Sequence, residues 1–245
     1  MRCLIGIDDT DNLESRGTGF RARQLGVRLA EAALGKVRGI TRHQLFVHPS
    51  IPYTSHNSSA CLDVDVDEAR IEDVGEFCRR YLAQESAEGS DAGLCLAAFD
   101  AIADEMVAFG RSAKDTIRTQ DEARALAARH GTRLEGVTGD QMGVIGALAA
   151  IGLRRGGHDG RFIWLDGVRE LTGTMTAGAL LATTGIDSVE SRNGCPLPMD
   201  AEVLVDPWPR PVLLHGKAVL LTEPDGDRHE SGGWRILCKE DIRRY

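Results

Sequence analysis

The chain begins with Arg2-Cys3-Leu4-Ile5-Gly6-Ile7, continues with Asp8-Asp9-Thr10-Asp11-Asn12, and then reads Arg16-Gly17-Thr18-Gly19-Phe20. The apolar run has the length of a β-strand, and three carboxylates follow it within four residues. The glycine turn then opens a segment whose apolar residues recur at helical spacing. A strand, an acidic turn, a glycine turn and a helix in this order can hold Mg²⁺ beside a phosphate, because carboxylates bind the metal and N–H groups face the anion.

The acidic turn also has a purely structural interpretation. Asp, Asn and Ser cap helices and form turns without any ligand. Its position favours binding, because adjacent like charges repel one another and α/β proteins place ligands outside the carboxyl ends of strands. The carboxylates by themselves leave both interpretations open.

Composition limits the class of protein. The 245 residues can form one large domain or two small ones, and their composition, 42% hydrophobic and 27% charged, is that of a soluble globular protein. The net charge of −8 and the pI of about 5.4 argue against a constitutive nucleic-acid binder, which needs a basic face. Six scattered cysteines without a Cys-x-x-Cys pair argue against structural zinc. We find no secretion signal and no bilayer-spanning stretch, so we expect a cytoplasmic protein without membrane contact.

Periodicity predicts strand, helix, strand, strand, helix, strand along residues 2–99. This is the split βαβ, ferredoxin-like arrangement, with the acidic turn directly after its first strand. Residues 60–66 alternate between apolar and polar, which predicts a half-buried strand with Cys61, Asp63 and Asp65 on the wet face. Residues 101–130 read as helical with a break at 110–119, and we interpret Arg111, Lys114 and Arg118 there as a solvated face, with phosphate clamping as the alternative.

The second half contains one strong helix signal. Residues 144–153 are apolar nearly all round, which is typical of a buried helix. The glycines Gly143 and Gly146 permit close backbone packing, and ligand binding is the alternative use. Ser188–Gly194 reads as a polar loop, and several short strands follow it.

Three ordered blocks carry a resemblance to a known family. They are Ile5–Asn12 with Gly17-Thr18-Gly19, then Pro49-Ser50-Ile51-Pro52-Tyr53-Thr54 with Asn57, then Gly143–Gly152 with Asp159 and Phe162. Together they resemble the catalytic core of the archaeal 2-agmatinylcytidine (agmatidine) synthetases, which modify the anticodon of an isoleucine tRNA. In that family a cytidine carbonyl is activated by phosphorylation and then displaced by agmatine.

The resemblance implies two α/β domains with the site in the cleft between them. We expect a kinase-like domain that binds ATP and Mg²⁺ over residues 1–115 and a ferredoxin-like domain over residues 116–245. It also implies roles for individual residues. The implied metal ligands and catalytic residues are Asp8, Asp9 and Asp11. The implied ATP-binding set is Asp8, Asp9, Thr10, Asp11, Gly17, Thr18 and Gly19, and the implied substrate-binding set is Asn57, Gly143 and Gly146.

The chain departs from the family's pattern in two places. The family has a Cys-Thr-Thr run after the glycine, and one of its threonines is phosphorylated, whereas this chain has Thr18-Gly19-Phe20. Thr18 is near that position without being its clear equivalent. Within these 245 residues we expect no counterpart of the family's OB-fold and zinc ribbon, which together with the acidic pI argues against tRNA as the acceptor.

We therefore predict an ATP- and Mg²⁺-dependent phosphotransferase or ligase that activates a nucleobase carbonyl or a small molecule for attack by an amine. The expected partners are a nucleotide and an amine-like small molecule, and homo-oligomerisation stays open. Two alternatives remain at this stage: a non-catalytic nucleotide- or metabolite-binding module that acts through a partner, and a tRNA modifier that takes its RNA-binding surface from a second subunit. Histidines His43, His48 and His56 are further candidates for the site if their strands neighbour the acidic turn.

Overall fold

A computed structural model gives the fold and describes residues 1–51, 57–206, 208–226 and 233–245. These residues form a mixed α/β structure with twelve strands, most of them paired antiparallel, and six α-helices. They divide into two compact units, Met1–Gly156 and Gly157–Tyr245. Within the described ranges, no helix has both the length and the apolar character that crossing a bilayer requires.

The first unit carries the acidic turn on the middle strand of its sheet. Its first six elements are β1 (Arg2–Asp8), α1 (Thr18–Glu31), β2 (Lys36–Gln44), β3 (Ser58–Asp65), α2 (Ile71–Glu85) and β4 (Gly93–Ala98). They are followed by α3 (Asp104–Ser112), α4 (Gln120–Arg129), β5 (Arg133–Gly136) and α5 (Val144–Gly156). The sheet order is β5-β4-β1-β3-β2, and each of these pairs is antiparallel. The predicted sequence of elements over residues 2–99 is therefore present.

Helices cover both faces of this sheet. Successive residues of a strand point to opposite faces, so each strand can contact a helix on either side. A Cβ on Gly6 of β1 would meet the Ala147 carbonyl of α5. On the other face, Gly26 of α1 lies against Leu62, whose register partner on β1 is Ile5. The strands β1 and β3 are therefore buried on both sides, between α1 and α5.

The prediction of a wet face on β3 was wrong for Cys61 and Asp63, which are buried, whereas the Asp65 side chain is 45% exposed. Asp63 is 1% exposed and accepts hydrogen bonds from Arg2 of β1 at 2.9 and 2.6 Å and from Arg154 of α5 at 2.7 Å. Burial acts to raise the pKa of Asp63, but hydrogen bonds from Arg2 and the charges of both arginines lower it overall. The alternation along the strand correctly separated two faces. However, α5 covers the face that the pattern predicted to be solvated, and Arg154 of α5 supplies a charge that compensates Asp63. This helix lies about ninety positions later in the chain, so the local pattern could not reveal it.

The second unit is a smaller sheet with one helix. Its elements are β6 (Arg161–Trp164), β7 (Gly173–Thr176), α6 (Ala177–Thr183), β8 (Ser188–Ser191), β9 (Glu202–Val205), β10 (Val212–Leu214), β11 (Lys217–Pro224) and β12 (Trp234–Ile236). The order is β6-β10-β11-β12-β9-β7, with β8 parallel to β11. The polar loop predicted at Ser188–Gly194 is thus a strand for its first four residues, because pairing with β11 satisfies its backbone and Val189 enters the core.

The two units meet in sequence at a different point from the predicted boundary. That boundary, between residues 115 and 116, lies inside the first unit, in the connection between α3 and α4. The reason is packing: α5 lies on β1, β3 and β4 and contacts α3, so residues on both sides of position 115 share one core.

The buried ion pair of α5 should dominate the stability of its packing. Arg154→Met leaves the buried Asp63 paired only with the partly exposed Arg2 and Arg38 among the described residues, so we expect the free energy of unfolding to fall by about 3 kcal/mol. Chemical denaturation measures this value. The matched control is Arg28→Met, whose side chain is 60% exposed beside Glu31 and which should change stability by less than about 0.5 kcal/mol. Equal effects of the two substitutions would contradict the role of Arg154.

Candidate functional site

The candidate site begins where β1 ends. Asp8 is the last residue of the strand, and Asp9 adopts a left-handed backbone with φ of 52°. Few residues other than glycine adopt this conformation, although Asp tolerates it better than most. Backbone strain of this kind is found disproportionately at functional sites.

A hydroxyl network holds the acidic loop onto the start of α1. The Thr18 hydroxyl, in the first residue of the helix, donates to an Asp11 carboxylate oxygen at 2.9 Å. It also accepts from the Thr10 hydroxyl at 3.2 Å, and Thr10 is fully buried. Asn12 closes the loop further out by accepting from the Glu14 N–H and donating to the Glu88 carbonyl. Hydrogen bonds within the loop, to the start of α1 and to Glu88 therefore hold the acidic loop in place.

Burial and repulsion from neighbouring carboxylates raise the pKa values of Asp8 and Asp9. Burial raises the pKa of Asp8 to about 8, and the charges of Asp9 and Asp11 add to the shift. Burial also raises the pKa of Asp9 to about 6, with further contributions from Asp91 and Asp11. A cation placed among these groups would relieve the repulsion and restore the charged forms.

Asp91 is a fourth carboxylate near the loop, and sequence reasoning missed it. It lies just before β4, whose first residue, Gly93, pairs with Asp8 across the antiparallel ladder. One Asp91 carboxylate oxygen accepts the N–H of Asp140 at 2.5 Å, and its backbone carbonyl accepts the N–H of Gly143 at 2.9 Å. Only the pairing of β4 with β1 brings it here, so no local motif could have identified it.

The Gly143 turn places the start of α5 against the carboxylates. A Cβ on Gly143 would lie 2.6 Å from the Gly93 nitrogen and 2.7 Å from the Asp8 carbonyl oxygen. A Cβ on Gly146 would collide with the Asp8 carboxylate instead. Both glycines therefore serve close packing, and the second packs against a predicted site residue.

These elements surround one pocket that opens to solvent. Its carboxylate and hydroxyl lining is Asp8, Asp9, Asp11, Thr18, Ser50, Ser58 and Thr116. The remaining lining residues are Leu45, Ile51, Asn57, Ala113, Ile117, Arg118, Met142, Ile145 and Gly146. All of them belong to the first unit, so the pocket lies within one compact unit and not in the expected cleft between two domains.

The predicted site residues divide into two groups. Those that line the pocket are Asp8, Asp9, Asp11, Thr18, Asn57 and Gly146. Those absent from the lining are Thr10, Gly17, Gly19 and Gly143. Within the second group, Thr10 donates a hydrogen bond to the Thr18 hydroxyl. Gly17 directly precedes α1, and a Cβ there would contact an Asp11 carboxylate oxygen.

The Pro49–Asn57 block is described in part. Ser50 and Ile51 line the pocket, and the Asn57 side chain donates to the Phe46 carbonyl at 2.6 Å. Residues 52–56, which include Pro52, Tyr53, Thr54 and the candidate His56, lie outside the described residues.

The two described histidine candidates are not part of the pocket lining. His43 is fully buried within the sheet, where its ring shares a 2.8 Å hydrogen bond with the Thr41 hydroxyl. His48 stacks on Phe46. Sequence reasoning also set aside Arg118 as part of a solvated face, yet it lines the pocket. Because α3 ends at Ser112 and α4 begins at Gln120, the residues between them turn into the site.

No metal centre is preformed within the ranges that the structure describes, since no three His, Cys, Asp or Glu side chains are arranged to hold an ion. The six cysteines are free, and burial raises the pKa of Cys3 to about 11 and of Cys78 to about 12, which makes those thiols inert.

Comparisons with known proteins support a core like that of TiaS. No protein-family model matches the chain. The chain is 28% identical over 155 residues to an uncharacterized protein of Methanocaldococcus jannaschii, a match that covers 62% of this chain and 50% of the relative. It is similar in structure to apo TiaS, an agmatidine synthetase that acts on an isoleucine tRNA, with a TM-score of 0.53 and 26% identity over 62% of this chain and 35% of that one.

Two further solved structures agree with this likeness. A tRNA fluorescent labeling enzyme gives a TM-score of 0.55 and 28% identity, with coverage of 62% of this chain and 36% of that chain. The complex of TiaS with its isoleucine tRNA, AMPCPP and agmatine gives 0.54 and 26%, with the same coverage. The matched region thus spans half of the curated relative and about a third of the solved chains.

The raised pKa of Asp8 predicts how stability depends on pH. Between the unfolded value near 4 and the folded value of about 8, the native state binds more protons, so stability falls as pH rises through this range. Asp8→Asn removes this loss, and we expect the variant to be more stable than the wild type at pH 8.5 by at least about 1 kcal/mol, with the difference shrinking towards pH 4. Denaturation at several pH values measures it, with the exposed Asp200→Asn as control. A pH-independent difference would contradict the assignment.

The two glycines should differ in what an added methyl group disrupts. Gly143→Ala meets only backbone atoms, so we expect it to lower the free energy of unfolding by about 2 kcal/mol. Gly146→Ala meets only side-chain atoms of Asp8, and a side chain moves more readily than a backbone, so the loss of stability should be smaller. Thermal unfolding of both variants tests this order, and a larger loss for Gly146→Ala would refute it.

Proposed function

We propose that the first unit is an ATP- and Mg²⁺-dependent phosphotransferase or ligase core that activates an acceptor, a nucleobase carbonyl or a small molecule, for attack by an amine. One observation carries the proposal. The three sequence blocks that resemble the agmatidine synthetases contribute Asp8, Asn57 and Gly146 to the lining of a single pocket. The likeness to TiaS, which has been solved with AMPCPP and agmatine, supports the same chemistry here.

The donor set is suited to Mg²⁺. This ion takes one or two carboxylates and completes its octahedron with waters and phosphate oxygens, so a closed protein cage is not required. In the proposal, Asp8, Asp9 and Asp11 are the carboxylates from which the ion would take its protein ligands. When bound, Mg²⁺ offsets the negative charge that develops on phosphate oxygens during phosphoryl transfer.

The remaining residues of the proposed site position the phosphates and the acceptor. The Asp11 carboxylate accepts a hydrogen bond from the Thr18 hydroxyl. This bond keeps the Thr18 hydroxyl oxygen at the pocket wall, beside the start of α1. The Gly17-Thr18-Gly19 turn, with Thr10 beneath it, would face the phosphates through its N–H groups. Asn57 and the Gly143 and Gly146 segment would form the acceptor side of the pocket.

Two finer assignments belong to the same proposal. The strand order β4-β1-β3-β2 with α1 and α2 as its crossovers supports a ferredoxin-like arrangement for residues 2–98. The kinase-like designation applies to this unit as the part that would bind ATP and Mg²⁺, and an amine-like molecule is the proposed second substrate.

Nucleotide binding by the full chain tests the proposal. Calorimetric titration with ATP in the presence of Mg²⁺ should show binding, and Asp9→Asn should weaken it at least about tenfold, which corresponds to 1.4 kcal/mol, because a metal ligand is lost. Chelating the Mg²⁺ should weaken it similarly. Asp200→Asn, in the second unit, serves as the matched control and should bind as the wild type does.

The outcomes separate the candidate functions. Binding with ATP consumption that Asp9→Asn abolishes supports the enzyme. Binding without any consumption favours the non-catalytic nucleotide-binding module. Absence of Mg²⁺–ATP binding, or full binding by Asp9→Asn, refutes the proposed site.

A further inference from the structure

The pocket has one positively charged side chain among its described lining residues. Asp8, Asp9 and Asp11 supply carboxylates, and Arg118 supplies the cation. The two kinds of charge come from distant parts of the sequence, since the carboxylates follow β1 and Arg118 precedes α4. An arginine in a pocket that also holds several carboxylates needs an explanation, because a binding site for a cationic molecule would gain nothing from it.

Neighbouring groups hold the guanidinium of Arg118 in place. Its Nε donates to the Ser112 hydroxyl at 2.9 Å, and its Nη1 donates to a Glu122 carboxylate oxygen at 3.3 Å. Glu122 is itself fixed, because it accepts the Thr119 N–H at 2.9 Å in the capping box of α4. Phe109 lies 5.7 Å from the guanidinium carbon, measured to the ring centroid. The side chain is 28% exposed, so its position is set before any ligand arrives.

This anchoring leaves part of the guanidinium available. Within the described parts of the chain, no acceptor lies within hydrogen-bond distance of Nη2. The ion pair with Glu122 is partly solvated, since Glu122 is 47% exposed, and such pairs are weak. The N–H groups of Nη2 are therefore free to bind an anion while the Nε bond to Ser112 keeps the group oriented.

Charge balance indicates which anion this is. Three ionised carboxylates and one Mg²⁺ leave a net negative charge, and the phosphates of a nucleoside triphosphate add further negative charge at neutral pH. A second cation is needed to offset them. Arginine is well suited, because its planar fork donates two parallel hydrogen bonds to phosphate oxygens.

We propose that Arg118 is a phosphate ligand of this pocket and that it selects a phosphate-bearing nucleotide over its nucleoside. The inference rests on the proposed function and adds a residue that none of the resembling sequence blocks contains. Arg118 contacts phosphate oxygens through Nη2, and Ser112 and Glu122 act as positioning residues that hold the guanidinium.

Titrations with a matched ligand series test the inference. Full-length wild type, Arg118→Ala, Arg118→Lys and the control Arg129→Ala are titrated with ATP, ADP and adenosine in the presence of Mg²⁺. Arg129 is the matched control because it lies on the next helix, is 64% exposed and pairs at the surface with Glu105. We expect Arg118→Ala to weaken ATP binding by about tenfold or more, the loss of one or two charge-assisted hydrogen bonds, while adenosine binding stays unchanged.

Two further readouts separate ligand binding from a structural role. Arg118→Lys should recover part of the affinity, because it restores the charge without the fork. Free guanidinium at low millimolar concentration should improve ATP binding by Arg118→Ala and leave Arg129→Ala unaffected. Thermal unfolding of each variant shows whether the fold is intact, and Arg118→Lys carries the comparison if Arg118→Ala does not fold.

These titrations distinguish failure of the role proposed for Arg118 from failure of the proposed nucleotide-dependent function. If wild type binds Mg²⁺–ATP and Arg118→Ala binds it equally well, the inference is wrong and the proposed function stands. Equal weakening of ATP and adenosine binding also overturns the inference, since it indicates a change of pocket shape. If wild type binds no nucleotide at all, the proposed function fails and the inference fails with it.

Discussion

The structure of the first unit depends on how closely α5 lies against β1. Gly6 on the strand faces the Ala147 carbonyl on the helix, and Gly146 faces the Asp8 carboxylate. A side chain at Gly6 would push the two backbones apart, whereas a side chain at Gly146 would displace the Asp8 carboxylate. The same close packing of α5 on β1 brings Gly143 against the backbone of Asp8 and Gly93. The contacts that form the core therefore also form the wall of the pocket.

The charged residues of the unit serve two different purposes. Asp63 is deeply buried, and Arg2 and Arg154 lower its pKa overall, so its charge is compensated within the protein. Asp8 and Asp9 keep some solvent exposure, and their pKa values are raised because burial and neighbouring carboxylates oppose ionisation. The ion pair between Asp63 and Arg154 holds α5 against the sheet. Among the described residues, Asp8 and Asp9 at the end of β1 have no such ion pair, and a bound cation would relieve the repulsion between them. This contrast distinguishes a structural aspartate from candidate ligands better than burial does.

Much of the fold followed from local patterns. Apolar runs and helical spacing indicated the six elements of residues 2–98, and the all-round apolar character of residues 144–153 indicated that α5 is buried. The failures have a common cause. Asp63 looked solvated, Ser188–Ser191 looked like a loop, and the boundary was placed at residue 115, because each outcome depends on an element far away in the chain: α5 for the first and third, β11 for the second.

For the candidate site, the sequence by itself determined the acidic turn. Consecutive carboxylates at the end of an apolar strand, followed by a glycine turn and a helix, already define a place where like charges accumulate. Only the tertiary structure decided what stands around that turn. Antiparallel pairing of β4 with β1 brings Asp91 to it, the connection between α3 and α4 brings Arg118 to the same pocket, and the absence of a Cβ at Gly146 lets α5 reach Asp8. The physical reason is that repulsion between neighbours is a property of adjacent residues, whereas its compensation comes from groups that are close only after folding.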